Sequence, residues 1–336
     1  MEFSGLRALR ELQDRGSVVA VAQSLHVTPS AISQQLAALQ RAAGIPLTRK
    51  RGRVLELTDA GRQLAGAAVA VSSALAQAEN AISEFQADEN QIVTVSAFHS
   101  AGTAWFGPLI AQLREADGPA VSCSDEDVAQ QEFPTLTVDH DIVIAHRLPG
   151  SPQWPSSVAS TALAFEPLDV ALPATHRLAG QRSVTPAQLR DERWIAVHDG
   201  FPLMDALNTI GAMAGASLSI AHRINDFFTA ASIVRAGDAV ALLPRYTGAQ
   251  RARSGVVLRP IRGVRLGRHI DALIRPESAY RASVRAVVKA IIAVVGAESN
   301  ANASLRDGAQ PNRGAQPNSG ARLNSSAQPN SSAASS

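Results

Sequence analysis

Apolar residues near the start recur at helical spacing. Leu6, Leu9 and Leu12 mark one face and Gly16 offers a left-handed stop, which predicts a helix over 2–15. Ser17 is placed to cap a second, short helix over 18–25, whose small Ala20 and Ala22 let a neighbouring helix come close. Thr28 followed by Pro29 reads as an N-cap and a first helical position, where proline's missing N–H is no loss, and this third helix runs to Gly44. Within it Ile32, Leu36 and Leu39 form a core face, while Ser30, Ser33, Gln34, Ala37 and Arg41 form the opposite, polar face. The stretch 47–57 reads as two short strands around a basic turn with Gly52 near its tip, that is, a wing.

A long helix is predicted from a Thr58 cap to about residue 87. Its apolar positions Leu64, Ala68, Val71, Leu75, Ala78, Ile82 and Phe85 alternate steps of four and three, a heptad stripe that wants a partner helix. Dimerisation is the direct reading; a helix lying against its own domain is the alternative. Past Gln91 the texture changes to strands at 92–97, 121–124, 141–145, 168–172, 194–197, 218–224, 239–243 and 270–274. Helices at 103–114, 203–213, 227–236 and 280–295 alternate with them. That rhythm predicts parallel sheets covered by helices on both faces, here in two lobes. Beyond Gly296 apolar content collapses. GAQPN stands at 308–312 and 314–318 and SAQPN at 326–330, and 299–336 holds no aromatic residue, so the tail cannot offset its ordering entropy and is expected to be disordered.

The expected organisation is a winged helix-turn-helix over 1–58, a linker and dimerisation helix over 59–90, a two-lobed Rossmann-like domain over 91–296, and the tail over 297–336. Lobe I would comprise about 91–163 and 268–296, and lobe II about 164–267. The whole chain of 336 residues carries a net charge of only +2, but residues 1–62 hold nine Arg and Lys against five Asp and Glu, which marks this segment for a polyanion. Cys123 is the single cysteine, so no intrachain disulfide or CxxC pair can form, as suits a reducing compartment. The first residues lack a basic cap leading into an apolar run, and no stretch reaches membrane-spanning length, so a cytoplasmic protein is expected.

A helix-turn-helix needs one helix supporting another across a tight connection, with short polar side chains at the exposed N-terminal part of the second so that it enters a major groove. Residues 17–41 meet each demand. Thr28 and Ser30 are placed for phosphate oxygens, Ser33 and Gln34 for base edges, and Pro29 for a thymine methyl, with Ser17 a further DNA-binding candidate. Arg49, Lys50, Arg51 and Arg53 would sit over the backbone or minor groove. A three-helix bundle with a solvated polar face is the alternative. Spacing decides between them: Gly16-Ser17, Ala20, Ala22, Leu25, HVTPSAISQQLAALQ at 26–40, Gly44-Ile45-Pro46-Leu47 and LTDAGRQL at 57–64 resemble, in order, the LysR-type transcriptional regulators. That resemblance implies operator-reading positions at Thr28, Pro29, Ser30, Ser33 and Gln34 and a wing role for Arg53. Thr48, Lys50 and Gln40 stand where the family usually has an aromatic residue, an Arg and a Glu.

In open parallel sheets ligands bind beyond the carboxyl ends of strands, where helix N-termini present free N–H groups. His99, Ser100, Ala101 and Gly102 follow one predicted strand, His146 and Arg147 another, and His198, Gly200 and Phe201 a third. Arg147 and the helix N-termini together favour an anionic ligand, most simply a carboxylate. Structural readings compete: Ser100 can serve as a helix cap, and each histidine as a satisfied structural residue. Asp141-Ile142-Val143-Ile144, LPATHRLA at 172–179, Trp194-Ile195-Ala196 and AGDAVALLP at 236–244 resemble landmarks of the family's effector domain, which extends the likeness to about 2–295. It implies double-stranded DNA and a small-molecule effector as partners, a homodimer or homotetramer, and a contact with RNA polymerase.

No HExxH, GxSxG, P-loop or strand-borne GxGxxG occurs, so neither catalysis nor a metal or cofactor is expected. A solute receptor would share the two lobes, but it has no use for a basic winged helix-turn-helix. The sequence leaves the effector, the operator and the sign of regulation open.

Overall fold

A computed structural model describes residues 1–52, 54–83, 92–198, 203–248 and 255–307. The first helix, α1 (Phe3–Arg15), ends on Gly16 in the left-handed region, whose N–H returns to the Leu12 carbonyl. Ser17 caps α2 (Val18–Ser24) by accepting from the Ala20 N–H, and Thr28 caps α3 (Pro29–Ala43) by accepting from Ala31. The hairpin of β1 (Thr48–Arg51) and β2 (Val54–Leu57) follows, and then α4 (Asp59–Ser83). Leu9, Leu12, Val21, Ile32, Leu36, Leu39 and Leu47 close one core among these elements.

The larger part begins with β3 (Val93–Ala97), α5 (His99–Glu115), β4 (Val121–Asp125), α6 (Phe133–Leu136) and β5 (Ile142–Arg147). It continues through β6 (Ala159–Pro173), β7 (Arg193–Ala196), α7 (Leu203–Ala214), β8 (Ser219–Arg223), α8 (Phe227–Ala236) and β9 (Val240–Pro244). β10 (Val256–Arg259), β11 (Gly267–Ile274) and α9 (Ala282–Asp307) complete it. The strand path is β4-β3-β5-β11-β6-β9-β7-β8, with β10 on β6.

The expected parallel pairing is correct for β3 with β4 and β5, and for β7 with β8 and β9. It fails for β6, β10 and β11, which pair antiparallel with their neighbours. β6 is the reason. Its first half pairs β11 in lobe I, and its second half pairs β9 and β10 in lobe II, so β6 and β11 are the crossings between lobes. Lobe I packs Val95, Phe98, Leu109, Ile142, Ile144 and Val284 into its core, while lobe II has separate clusters around Trp194 and Val234. A second correction concerns the tail: α9 continues through 297–307 to Asp307 instead of stopping at Gly296.

The two parts of the chain meet through ion pairs. Arg275, one residue beyond β11, reaches Glu11 and Asp14 of α1 at 2.6 Å each, and Arg10 reaches Glu277 at 2.8 Å. Arg15 pairs with Asp139 at 2.9 Å and donates to the Val138 carbonyl. Arg10, Glu11 and Arg275 are largely buried here, so screening by salt is weaker than at an open surface.

Candidate functional site

Two regions hold the predicted site residues. In the first, the N-terminal half of α3 presents Thr28, Pro29, Ser30, Ser33 and Gln34 to solvent while Ile32 and Leu36 fix the helix from behind. The Ser33 hydroxyl donates to the Pro29 carbonyl at 2.9 Å, which sets its orientation and leaves its oxygen free to accept. Ser17 is exposed at the start of α2. Gln40 ties the reading helix to the wing, because its Oε1 accepts from the N–H groups of Leu47 and Thr48 at 2.9 and 3.3 Å. A glutamine therefore serves this tether where the family's usual Glu stands. Arg49, Lys50 and Arg51 are exposed on β1, and Glu56 lies 3.7 and 3.5 Å from the two guanidiniums, contacts too loose and solvated to hold them from a phosphate. Arg53 lies outside the described residues.

The heptad stripe divides. Ala68 is buried in the core of the N-terminal domain and Leu64 packs against it, so these two serve the chain's own fold. Farther along α4, Val71, Leu75 and Ile82 are 43%, 41% and 60% exposed, and Ala78 is exposed as well. Phe85 lies outside the described residues.

The second region is a cavity of about 370 Å³ between the lobes, lined by Phe98, His99 and Ser100 at the start of α5, by His146 on β5, and by Arg268 on β11. Lobe II contributes Val197, Leu203 and the turn Asn225 to Phe228. Helix α5 starts at His99 and not at 103, so Ser100 lies inside its first turn and does not cap it. Ala101 belongs to the lobe I core, and a Cβ on Gly102 would meet the Phe106 ring at 2.8 Å; both support α5 from behind the cavity wall. His198 is exposed and its N–H donates to Asn225, while Gly200 and Phe201 lie outside the described residues.

Arg147 is a correction. β5 runs on through it instead of ending at Ala145, and its guanidinium pairs with Asp271 at 3.1 Å, a carboxylate that also accepts from Trp154. It does not line the cavity, so the expectation of an anionic effector loses the side chain on which it rested.

The cavity's cation is Arg268, a residue without a sequence signal. It is the cross-strand neighbour of Glu166, with Nε to Oε2 at 3.0 Å, and its Nη2 lies 3.0 Å from the hydroxyls of both Ser100 and Thr247. Glu166 also accepts from the N–H groups of Tyr246 and Thr247. Both charges are almost fully buried, and a pair of this kind holds only when its remaining hydrogen bonds are satisfied, as these are. Since Ser100 belongs to lobe I and Thr247 to lobe II, the network fastens the lobes at the cavity floor.

Three carboxylates missed by sequence reasoning complete the wall: Asp125 at the end of β4, Asp127 just beyond it, and Asp226 at the cap of α8. A hydrogen bond from His99 at 3.0 Å holds Asp125 below the ordinary carboxylate range, whereas burial raises Asp127. Burial acts against the ionised form of Asp226 too, but hydrogen bonds from Thr229 outweigh it. Burial, assisted by the Arg268 charge, pushes His146 well below the ordinary histidine value, so its ring is neutral. The Asx-type cap before Phe227 was the available signal for Asp226.

A winged helix-turn-helix tied to two lobes around a cavity of aromatic walls and charged side chains defines a ligand-responsive DNA-binding regulator. Residues 3–62 match the family model described as bacterial regulatory helix-turn-helix protein, lysR family, and 86–296 match the LysR substrate binding domain. The chain belongs to the LysR family of transcriptional regulators. It is 27% identical over 248 residues to the HTH-type transcriptional regulator CbbR of Xanthobacter flavus, covering 71% of this chain and 72% of that protein. It is 25% identical over 278 residues to the transcriptional dual regulator GltC of Bacillus subtilis, covering 83% and 92%. The full-length OxyR C199D of Pseudomonas aeruginosa shares the fold at TM-score 0.61 and 19% identity, over 88% of this chain and 94% of that one.

Proposed function

We propose that this regulator reads an operator with Thr28, Pro29, Ser30, Ser33 and Gln34 in a major groove while Ser17 and the wing cations Arg49, Lys50, Arg51 and Arg53 hold the backbone. The observation that carries this reading is the exposed polar start of α3 beside a basic hairpin, with its apolar side locked into a core. Two reading heads are brought together through Val71, Leu75, Ala78 and Ile82, continued by Phe85, in a homodimer or a dimer of dimers. The division of labour places DNA reading in 1–58, pairing in 59–90 and effector sensing in 91–296, with α9 extending past that boundary.

A small molecule in the inter-lobe cavity, touched by His99, Ser100 and His146, biases the lobes by its differential affinity for their arrangements. A tenfold preference is about 1.4 kcal/mol. The chain acts in the cytoplasm, binds its effector without converting it, and passes the change on to RNA polymerase. No described helix is long and apolar enough to cross a membrane. The test is a gel shift with DNA from upstream of the gene. Replacing Ser33 and Gln34 with Ala should lower specific retention by about ten- to a hundredfold while effector binding survives, and loss of both together would contradict the division.

A further inference from the structure

The charges around the cavity do not suit the carboxylate that strand-end reasoning favours. Asp125 and Asp127 face it from lobe I and Asp226 from lobe II. Arg268 is already matched by Glu166, so among the described lining residues the three carboxylates are balanced by His99 at most. His146 adds an independent signal. The residue is 8% exposed and lines the cavity, and its buried Nδ1 has no hydrogen-bond partner. Neutral, this imidazole adds no positive charge to set against the three carboxylates. The walls between these groups are the rings of Phe98, Phe227 and Phe228, which suit an apolar body; the Arg268 guanidinium already lies 4.5 Å from the Phe98 ring centre and 5.8 Å from that of Phe227. Among the described residues no three His, Cys, Asp or Glu side chains converge to hold a metal ion.

We propose that the cavity takes an organic cation, a small primary amine with an apolar chain, whose ammonium group lies between the aspartates of the two lobes. This rests on the reading of the cavity as the effector site and names the effector's chemical class. The arrangement also supplies a reason for closure. Drawing Asp226 towards Asp125 and Asp127 brings like charges together, and a cation between them turns repulsion into attraction.

The test uses the full-length protein at low ionic strength, titrated calorimetrically with 1,4-diaminobutane and with succinate, a dianion of the same chain length. Saturable binding of the diamine, weaker by about tenfold in Asp127→Asn and in Asp226→Asn, is the expected result. Asn keeps the shape of both side chains and is itself a good cap for α8, and tryptophan emission checks that each variant is folded. Preferential binding of succinate, diamine affinity unchanged in both variants, or no saturable diamine binding at millimolar concentration would each overturn the proposal. The gel shift without ligand separates the two readings. Operator binding by a protein that ignores the diamine sinks the cation alone, whereas diamine binding by a protein that ignores DNA sinks the regulator reading alone.

Discussion

Two glycines on α4 should respond in opposite directions to the same substitution. Gly61 lies where α4 crosses the wing: a Cβ there would overlap the Leu47 carbonyl oxygen and stand 3.1 Å from its carbon and 3.3 Å from the Leu57 Cβ. That carbonyl cannot yield freely, because it accepts from the Thr58 N–H at 3.0 Å while the Leu47 N–H is held by Gln40 at 2.9 Å. Overpacking of about 1–3 kcal/mol, with about 1 more for a disturbed hydrogen bond, outweighs the roughly 1 kcal/mol that alanine gains in a helix, so Gly61→Ala should destabilise the N-terminal domain by about 1–3 kcal/mol. Gly66, one and a half turns later, is exposed with nothing within 4 Å of the added methyl, and Gly66→Ala should stabilise by about 0.5–1 kcal/mol. Hydrogen exchange of α1, α3 and the wing in the full chain reads the local opening free energy. Trp105, Trp154 and Trp194 all belong to the two-lobed part, and the N-terminal 62 residues hold neither Trp nor Tyr, so intrinsic emission follows the other domain as an internal control. Protection that falls in both variants, or rises in both, would refute the packing argument.

Replacing Arg49, Lys50 and Arg51 with Ala should weaken operator and random DNA alike and flatten the salt dependence, by about 0.9 in log–log slope for each phosphate that is no longer neutralised; an effect confined to the operator would show that the wing reads sequence. Leu75→Glu places a charge on the exposed part of the stripe and should shift the dimer to monomer in sedimentation equilibrium, and an unchanged dimer would remove α4 from the interface. His146 is held neutral in the folded chain, while the unfolded chain binds a proton there below about pH 6.5. Its contribution is therefore fully present above about pH 6.5 and is lost as pH falls, by at most ~1.4 kcal/mol per unit. Denaturant titrations from pH 7.5 downward should show a shallower loss in His146→Gln, and equal slopes would show that the imidazole does not resist protonation.

Features written in short-range chemistry could be read directly from the chain. Ser17 and Thr28 cap, Pro29 opens a helix and Gly16 and Gly44 close two, each through neighbours within four residues. The crossing strands could not be read this way. β6 has 15 residues, but the expected strand covers only 168–172, because Glu166 and Pro167 break its apolar pattern after Phe165 and Asp169 breaks it again. Glu166 and Asp169 are buried and neutralised by partners far along the chain, Arg268 and Arg245, and nothing local announces either pairing. Arg147 was misplaced for the same reason: its partner Asp271 lies on a strand that joins only in three dimensions. The cavity's acidity was hidden likewise, since Asp125 and Asp226 come from different lobes and line one cavity only once β6 and β11 have crossed.

The joint between α1 and lobe I decides which piece of the molecule travels. With Arg275 gripping Glu11 and Asp14, and α1 packed directly on α3, the reading head rides with lobe I. Lobe II is joined to that unit by the strand crossings at β6 and β11 and by the Arg268 network at the cavity floor. If the lobes rearrange on ligand binding as proposed, lobe I would stay with the operator and lobe II would be the part that shifts, so a dye on lobe II would report ligand arrival before any change at the duplex.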